Sequence, residues 1–269
     1  MSFASNVVYL HRFQLVCFMF AQINNTVLLS LIQLKAGETF GSYRYLMTTF
    51  ATYSSVYAWV EIATLPIMHI KGPVFAVFVG SDLSISTELG NFLASFYCGT
   101  FGMCISLLAA HFVYRYLVVC KPHRSHLVAG FKCFHVVWPC LIPSMFWLLI
   151  VYHGMRNTIE KQDYLRAELL TVYGRDLTEN GFIACMFWSW DKKGQKTWKL
   201  DNLAATLGCD AIMGICVTVI LFCGLSIYKE LKTLSNIMSH KNRALQHQLF
   251  VTLTFQVRCY TSLPYCPLV

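Results

Sequence analysis

The chain has 269 residues, of which 56% are hydrophobic and 13% charged, with a formal net charge of +8. Soluble domains carry about 25% charged residues, so this composition excludes an ordinary water-soluble fold and points to a polytopic α-helical membrane protein. The basic residues fall between apolar runs, where they set topology rather than bind nucleic acid, and no nucleic-acid module is present.

Six spans are expected in chain order: 13–34, 45–69, 93–119, 135–154, 203–228 and 249–269. The first runs past 20 apolar residues without a small-residue cleavage site and reads as an uncleaved signal-anchor, interrupted by Gln22, Asn24 and Asn25. The second carries Glu61 inside and Pro66 and His69 near its end. The third is free of charge from Leu89 to Tyr114, roughly 39 Å of helix at ~1.5 Å per residue, enough to cross a ~30 Å hydrocarbon slab with tilt. It stops at Tyr114-Arg115-Tyr116. The sixth carries Arg258 about nine residues in, together with Pro264 and Pro267, and is the weakest.

Lys and Arg in the short loops orient the chain. The loop after span one holds Lys35 and Arg44. The loop after span three holds Arg115, Lys121, Arg124 and Lys132, and that after span five Lys229, Lys232, Lys241 and Arg243. The loop after span two holds only Lys71, and the long loop 155–202 is nearly balanced in charge. Loops one, three and five are therefore expected in the cytoplasm, with the N-terminus and the long loop outside.

Three groups of residues carry a family resemblance. Gly41-Ser42-Tyr43-Arg44-Tyr45-Leu46-Met47 opens span two, with Glu61, Pro66 and His69 following. His111-Phe112-Val113-Tyr114-Arg115-Tyr116 closes span three, and Leu245-Gln246-His247-Gln248-Leu249-Phe250 leads into span six, followed by Gln256. In combination, from about Asn25 to Gln256, they resemble the nematode chemosensory serpentine receptors of class r, the Str group. The resemblance implies an all-α membrane bundle of rhodopsin-like seven-helix architecture, a single serpentine domain over 1–269. It also implies a small odorant or soluble cue as ligand and a heterotrimeric G protein as partner. Six spans are expected here and the seventh missing, because the family pattern decays after Gln256. A non-signalling truncated receptor or pseudogene product is the alternative.

The resemblance makes Tyr114, Arg115 and Tyr116 the counterpart of the acidic-Arg-Tyr motif that couples serpentine receptors to G proteins. Tyr114 takes the acidic place, so a local ionic lock of that kind is ruled out. The alternative is a basic anchor that snorkels to the headgroups. His111, four residues earlier on the same face, reads as an interior polar contact. Glu61 and Asp210 are the candidate ligand-pocket acids; the alternative for Glu61 is a neutralised or hydrogen-bonded structural carboxyl, and for Asp210 a marker of the interface. Cys98 and Cys185 are candidates for a disulfide, although Cys98 lies only ~25 Å along the helix from Arg115. Cys185 is otherwise an isolated loop thiol.

The remaining signals carry less. Asn24-Asn25-Thr26 matches the glycosylation pattern but falls within span one. Cys120 is a candidate for palmitoylation. His123 and His126 lack a third ligand, so no metal is expected, and no cofactor. The basic and apolar residues of Lys229–Gln248 read as a cytosolic continuation of span five. Trp188, Trp190 and Trp198 suit either a cap over the ligand entrance or the lipid interface. A transporter would want paired intramembrane charges, and a membrane enzyme would want clustered reactive groups at one depth. The chain offers neither, so no enzymatic activity is expected.

Overall fold

The computed structural model describes residues 4–39, 41–80, 86–173, 176, 178, 181–191, 194–233 and 251. Seven α-helices are described: α1 Ala4–Thr39, α2 Tyr43–Thr64, α3 Thr87–Cys120, the short α4 Phe134–Val137, α5 Leu141–Gly154, α6 Ile159–Tyr173 and α7 Leu200–Thr233. Short 3-10 segments at Pro122–Leu127, Gly130–Cys133 and Trp138–Cys140 join α3 to α5. Five strands complete the described elements: β1 Pro66–Lys71, β2 Val74–Val79, β3 Phe182–Met186, β4 Trp188–Trp190 and β5 Lys196–Trp198.

Among the described residues, four helical stretches are long and apolar enough to cross a membrane: Val7–Leu34, Thr87–Cys120, Gly130–Gly154 and Leu200–Thr233. They coincide with expected spans one, three, four and five. Inside them hydroxyls bond their own helix, as Thr218 does to the Gly214 carbonyl at 2.7 Å and Ser226 to the Phe222 carbonyl at 2.8 Å. That satisfies a polar group where water is absent. Expected span two is helical over 22 residues but is not one of the four, its sequence being rich in Tyr, Ser and Thr. Expected span six, with Arg258, Pro264 and Pro267, lies outside the described residues, apart from helical Val251. So do Lys241, Arg243 and the Leu245–Phe250 motif.

Two expectations are corrected. Span two does not run to His69: α2 closes at Thr64, and the chain turns into β1. Pro66 disfavours the helical region for the residue before it and offers no N–H to extend the ladder. Leu65 leaves the right-handed helical region, at φ 43°, with its N–H bonded to the Glu61 carbonyl at 2.8 Å. The fold is also not purely α. Residues 74–79, Val-Phe-Ala-Val-Phe-Val, form a β-branched and aromatic run between Pro73 and Gly80. They pair antiparallel with β1, Lys71 opposite Val74 and Pro66 opposite Val79. Gly72 takes φ +52° at the turn, and a Cβ there would meet the Tyr164 hydroxyl at 2.8 Å, so the position needs glycine twice over.

The described residues divide into two compact units. The first draws on 1–31, 51–102 and 144–211. Its sheet has the order β1-β2-β3, all antiparallel, with Phe78 opposite Phe182 and Val74 opposite Met186. Phe78 and Phe182 are fully buried with ring centroids 4.9 Å apart, and Val7, Leu165 and Leu169 complete the same core. The expected long loop is thus a folded layer built from α6 and strands. Asn91 of α3 accepts the Phe182 N–H at 2.9 Å. Gly181, at φ +80°, lies so close to the Thr87 carbonyl that no Cβ fits.

The second unit draws on the described residues within 32–50, 103–143 and 212–269. Here the Ser42 hydroxyl accepts the Gly130 N–H at 2.6 Å, and the Cys140 thiol donates to the Ser106 carbonyl at 3.3 Å. Phe112 packs against Gly224, and Tyr45 lies against Phe131 with ring centroids 4.9 Å apart.

Candidate functional site: a buried tyrosine, histidine and arginine cluster

Residues 111, 114 and 115 share one face of α3, as i, i+3 and i+4 must. All three are buried: His111 4% exposed, Tyr114 6% and Arg115 3%. The first residue of α2 meets them. The Tyr43 hydroxyl lies 3.1 Å from His111 Nδ1, and the Tyr43 ring packs tilted on Tyr114 with centroids 5.4 Å apart. Phe50, two turns into α2, presents an edge to the imidazole with centroids 5.1 Å apart. The Tyr43 phenol also interacts electrostatically with the Arg115 guanidinium.

Arg115 therefore does not snorkel to the headgroups. Its side chain is buried, close enough to the Tyr43 phenol and the His111 imidazole to interact electrostatically with both. Tyr116, one step further round the helix, is half-buried and packs on Phe222 of α7 with centroids 5.8 Å apart. The structure thus brings Tyr114 and Arg115 together with His111 and places Tyr116 on a different contact. Tyr43 belongs to the opening motif of span two, but nothing in the sequence assigns it a role. Sixty-eight residues separate it from His111, and no local spacing signals that pairing.

The ligand-pocket and disulfide candidates lie in the first unit. Glu61 is half-buried on α2 and Asp210 is exposed on α7. Nearer the middle of α2 the Tyr53 hydroxyl donates to the Thr100 carbonyl at 2.9 Å, and the Tyr57 hydroxyl lies 3.3 Å from that of Tyr97. The Cys98–Cys185 bridge is not formed: both are free thiols. Cys185 is held on β3, where its Sγ lies 3.0 Å from the Thr206 hydroxyl of α7, and burial pushes its pKa up. Cys98 sits on α3, half-buried. His123 and His126 lie on an exposed 3-10 turn, and His126 Nδ1 bonds the His123 carbonyl at 3.0 Å.

Lys161 is a buried residue that the sequence did not reveal. At 4% exposure its ammonium donates to the Arg156 carbonyl at 2.8 Å, the Ala184 carbonyl at 2.7 Å and Asn202 Oδ1 at 2.9 Å. It ties α6, β3 and α7 through neutral acceptors. Burial lowers its pKa to about 8. In a loop read for its charge balance, its tryptophans and Cys185, nothing marks this lysine from its neighbours.

The sequence model of the family described as "Serpentine type 7TM GPCR chemoreceptor Str" matches residues 10–269. "Serpentine receptor class r-10" of Caenorhabditis briggsae is 32% identical over 250 residues, covering 90% of this chain and 71% of that protein. The Caenorhabditis elegans protein of the same name is 31% identical over 249 residues, with the same coverage. "G-protein coupled receptor str-33" of Caenorhabditis elegans is 25% identical over 254 residues, covering 93% of this chain and 74% of that protein.

Proposed function

This chain belongs to the Str family of serpentine seven-transmembrane chemoreceptors, and from that premise we propose that it binds a small odorant or soluble chemical cue and signals through a heterotrimeric G protein. The family is one of receptors, not enzymes, and the chain is an integral membrane protein. We place it in the plasma membrane of sensory neurons or their cilia with its N-terminus outside.

The observation that supports the reading most is the burial of Arg115 beside Tyr43, His111 and Tyr114. A cation inside a helix bundle is costly unless its surroundings hold it. Two arrangements of such a group, one packed inward and one released toward a G protein, would differ in free energy by the aromatic packing and hydrogen bonding that release breaks. A ligand that binds one arrangement better shifts the population toward it. In this reading the hydrogen bond between Tyr43 and His111 belongs to the resting arrangement and stands in for the ionic lock that Tyr114 precludes. Half-buried Glu61 is the ligand-pocket carboxylate we favour over exposed Asp210.

The test is basal nucleotide exchange on G proteins co-expressed with the full chain, followed by challenge with a panel of volatile and water-soluble compounds. Arg115→Ala should abolish exchange at unchanged surface expression. Tyr43→Phe keeps the ring and removes only the hydroxyl, and should raise basal exchange. Exchange that is indifferent to both changes, in protein that reaches the surface, would refute the assignment.

A further inference from the structure

We propose that the β4–β5 hairpin is a membrane-interface anchor, its tryptophan face lying in the headgroup layer of the phospholipid leaflet at the Leu200 end of α7. The register carries the argument. Trp188 pairs with Trp198, Ser189 with Thr197 and Trp190 with Lys196. Directly opposed residues in an antiparallel pair share a face, and successive residues alternate. All three indoles and Lys196 therefore lie on one side of the ribbon, and two small hydroxyl residues on the other.

The hydroxyl side meets the protein at Ser189, while Thr197 is exposed. Ser189 hydrogen-bonds the Glu160 carboxylate at the start of α6, and Lys199 reaches the same carboxylate at 2.6 Å. The indole side is left open, with Trp190 68% and Trp198 53% exposed. Trp188 and Trp198 pack edge to face with centroids 5.6 Å apart. The Lys196 ammonium sits 3.8 Å from the Trp188 centroid and 4.4 Å from that of Trp198. An isolated two-stranded hairpin is marginally stable in water, and one showing such an indole face is better placed where apolar and polar phases meet.

Continuity with α7 says which phase covers it. Trp198 stands two residues before Leu200, which opens α7 and is 71% exposed. The exposed apolar side chains of that helix continue with Leu207 and Ile215. The depth agrees. Gly154 ends the candidate span Gly130–Gly154 and packs so tightly on Ala205 that a Cβ there would clash. The hydrocarbon edge thus falls near Ala205. Trp198 is seven residues earlier, about 10 Å at a helical rise, and the headgroup layer extends roughly 5–8 Å beyond the hydrocarbon on each side. An indole reaches back across that gap. Lys196 on the same face complements the lipid phosphates.

Emission quenching of the full chain in phosphatidylcholine nanodiscs tests this, comparing the native protein with the Trp190→Phe, Trp198→Phe double variant. Bromines placed on the acyl chains near the headgroup should quench a component of emission that the variant loses, and aqueous iodide should leave that component unaffected. Circular dichroism checks that the variant keeps its helices, and either single variant serves if the double one does not fold. If the missing component is instead quenched by iodide, the hairpin faces water. If neither quencher reaches it, the hairpin caps protein. Both results overturn the anchor.

Discussion

Two buried cations, Arg115 and Lys161, are solved differently by their surroundings. Arg115 is buried beside the Tyr43 phenol, with which its guanidinium interacts electrostatically. Lys161 is held by two backbone carbonyls and an amide oxygen, acceptors that satisfy all three ammonium protons but neutralise none of the charge. Burial is then the dominant influence, and the pKa falls from 10.5 to about 8. The sign follows. Between about pH 8 and 10.5 the unfolded chain holds a proton that the folded chain has released, so this lysine's contribution to stability rises with pH across that window and is lost as pH falls through 8. The unfolding temperature of the native protein minus that of Lys161→Met should therefore increase from pH 8 to pH 10. A flat difference would show that the ammonium is not buried as described. Arg115 was legible in the sequence because it interrupts a long charge-free run. Lys161 was not, because the carbonyls that hold it come from Arg156, 23 residues away at Ala184, and 41 residues away at Asn202.

The helices of this protein were easier to read than its strands. A stretch such as Leu89–Tyr114 has one solution in lipid, since every backbone group must be satisfied within the segment. Residues 66–79 had two: an apolar run after a helix suits either more helix or a half-buried strand. Pro66 and the Gly72-Pro73 turn decide for a hairpin, and β3, more than 100 residues later, covers its second strand. The join between β3 and α3 depends on Gly181. Its left-handed conformation costs a residue with a Cβ about 1–2 kcal/mol, and the Thr87 carbonyl occupies the place the Cβ would need. Gly181→Ala should lower stability by at least that amount, read as a drop in unfolding temperature in nanodiscs. An unchanged midpoint would mean that β3 does not enter the sheet beside Thr87.

At the scale of the whole molecule, four long apolar helices make a protein that alkaline carbonate should not release from membranes. Release would contradict the integral assignment. Epitope tags test the proposed sidedness: an N-terminal tag should stain on intact cells, and a tag inserted after Lys121 only after permeabilisation. The reverse pattern would move Arg115 to the outer side and remove the G-protein reading with it. Sequence alone determined that the chain belongs in a bilayer and where four long apolar helices of the described residues lie, because the hydrophobic effect and backbone hydrogen bonding act on contiguous residues. It also carried the family resemblance, because the motifs of spans two and three are themselves contiguous. Only tertiary structure decided that Arg115 turns inward toward Tyr43, that the loop after α5 folds against a three-stranded sheet, and that Cys185 bonds Thr206 instead of Cys98. Those outcomes depend on contacts between residues distant in the chain, which no local periodicity encodes.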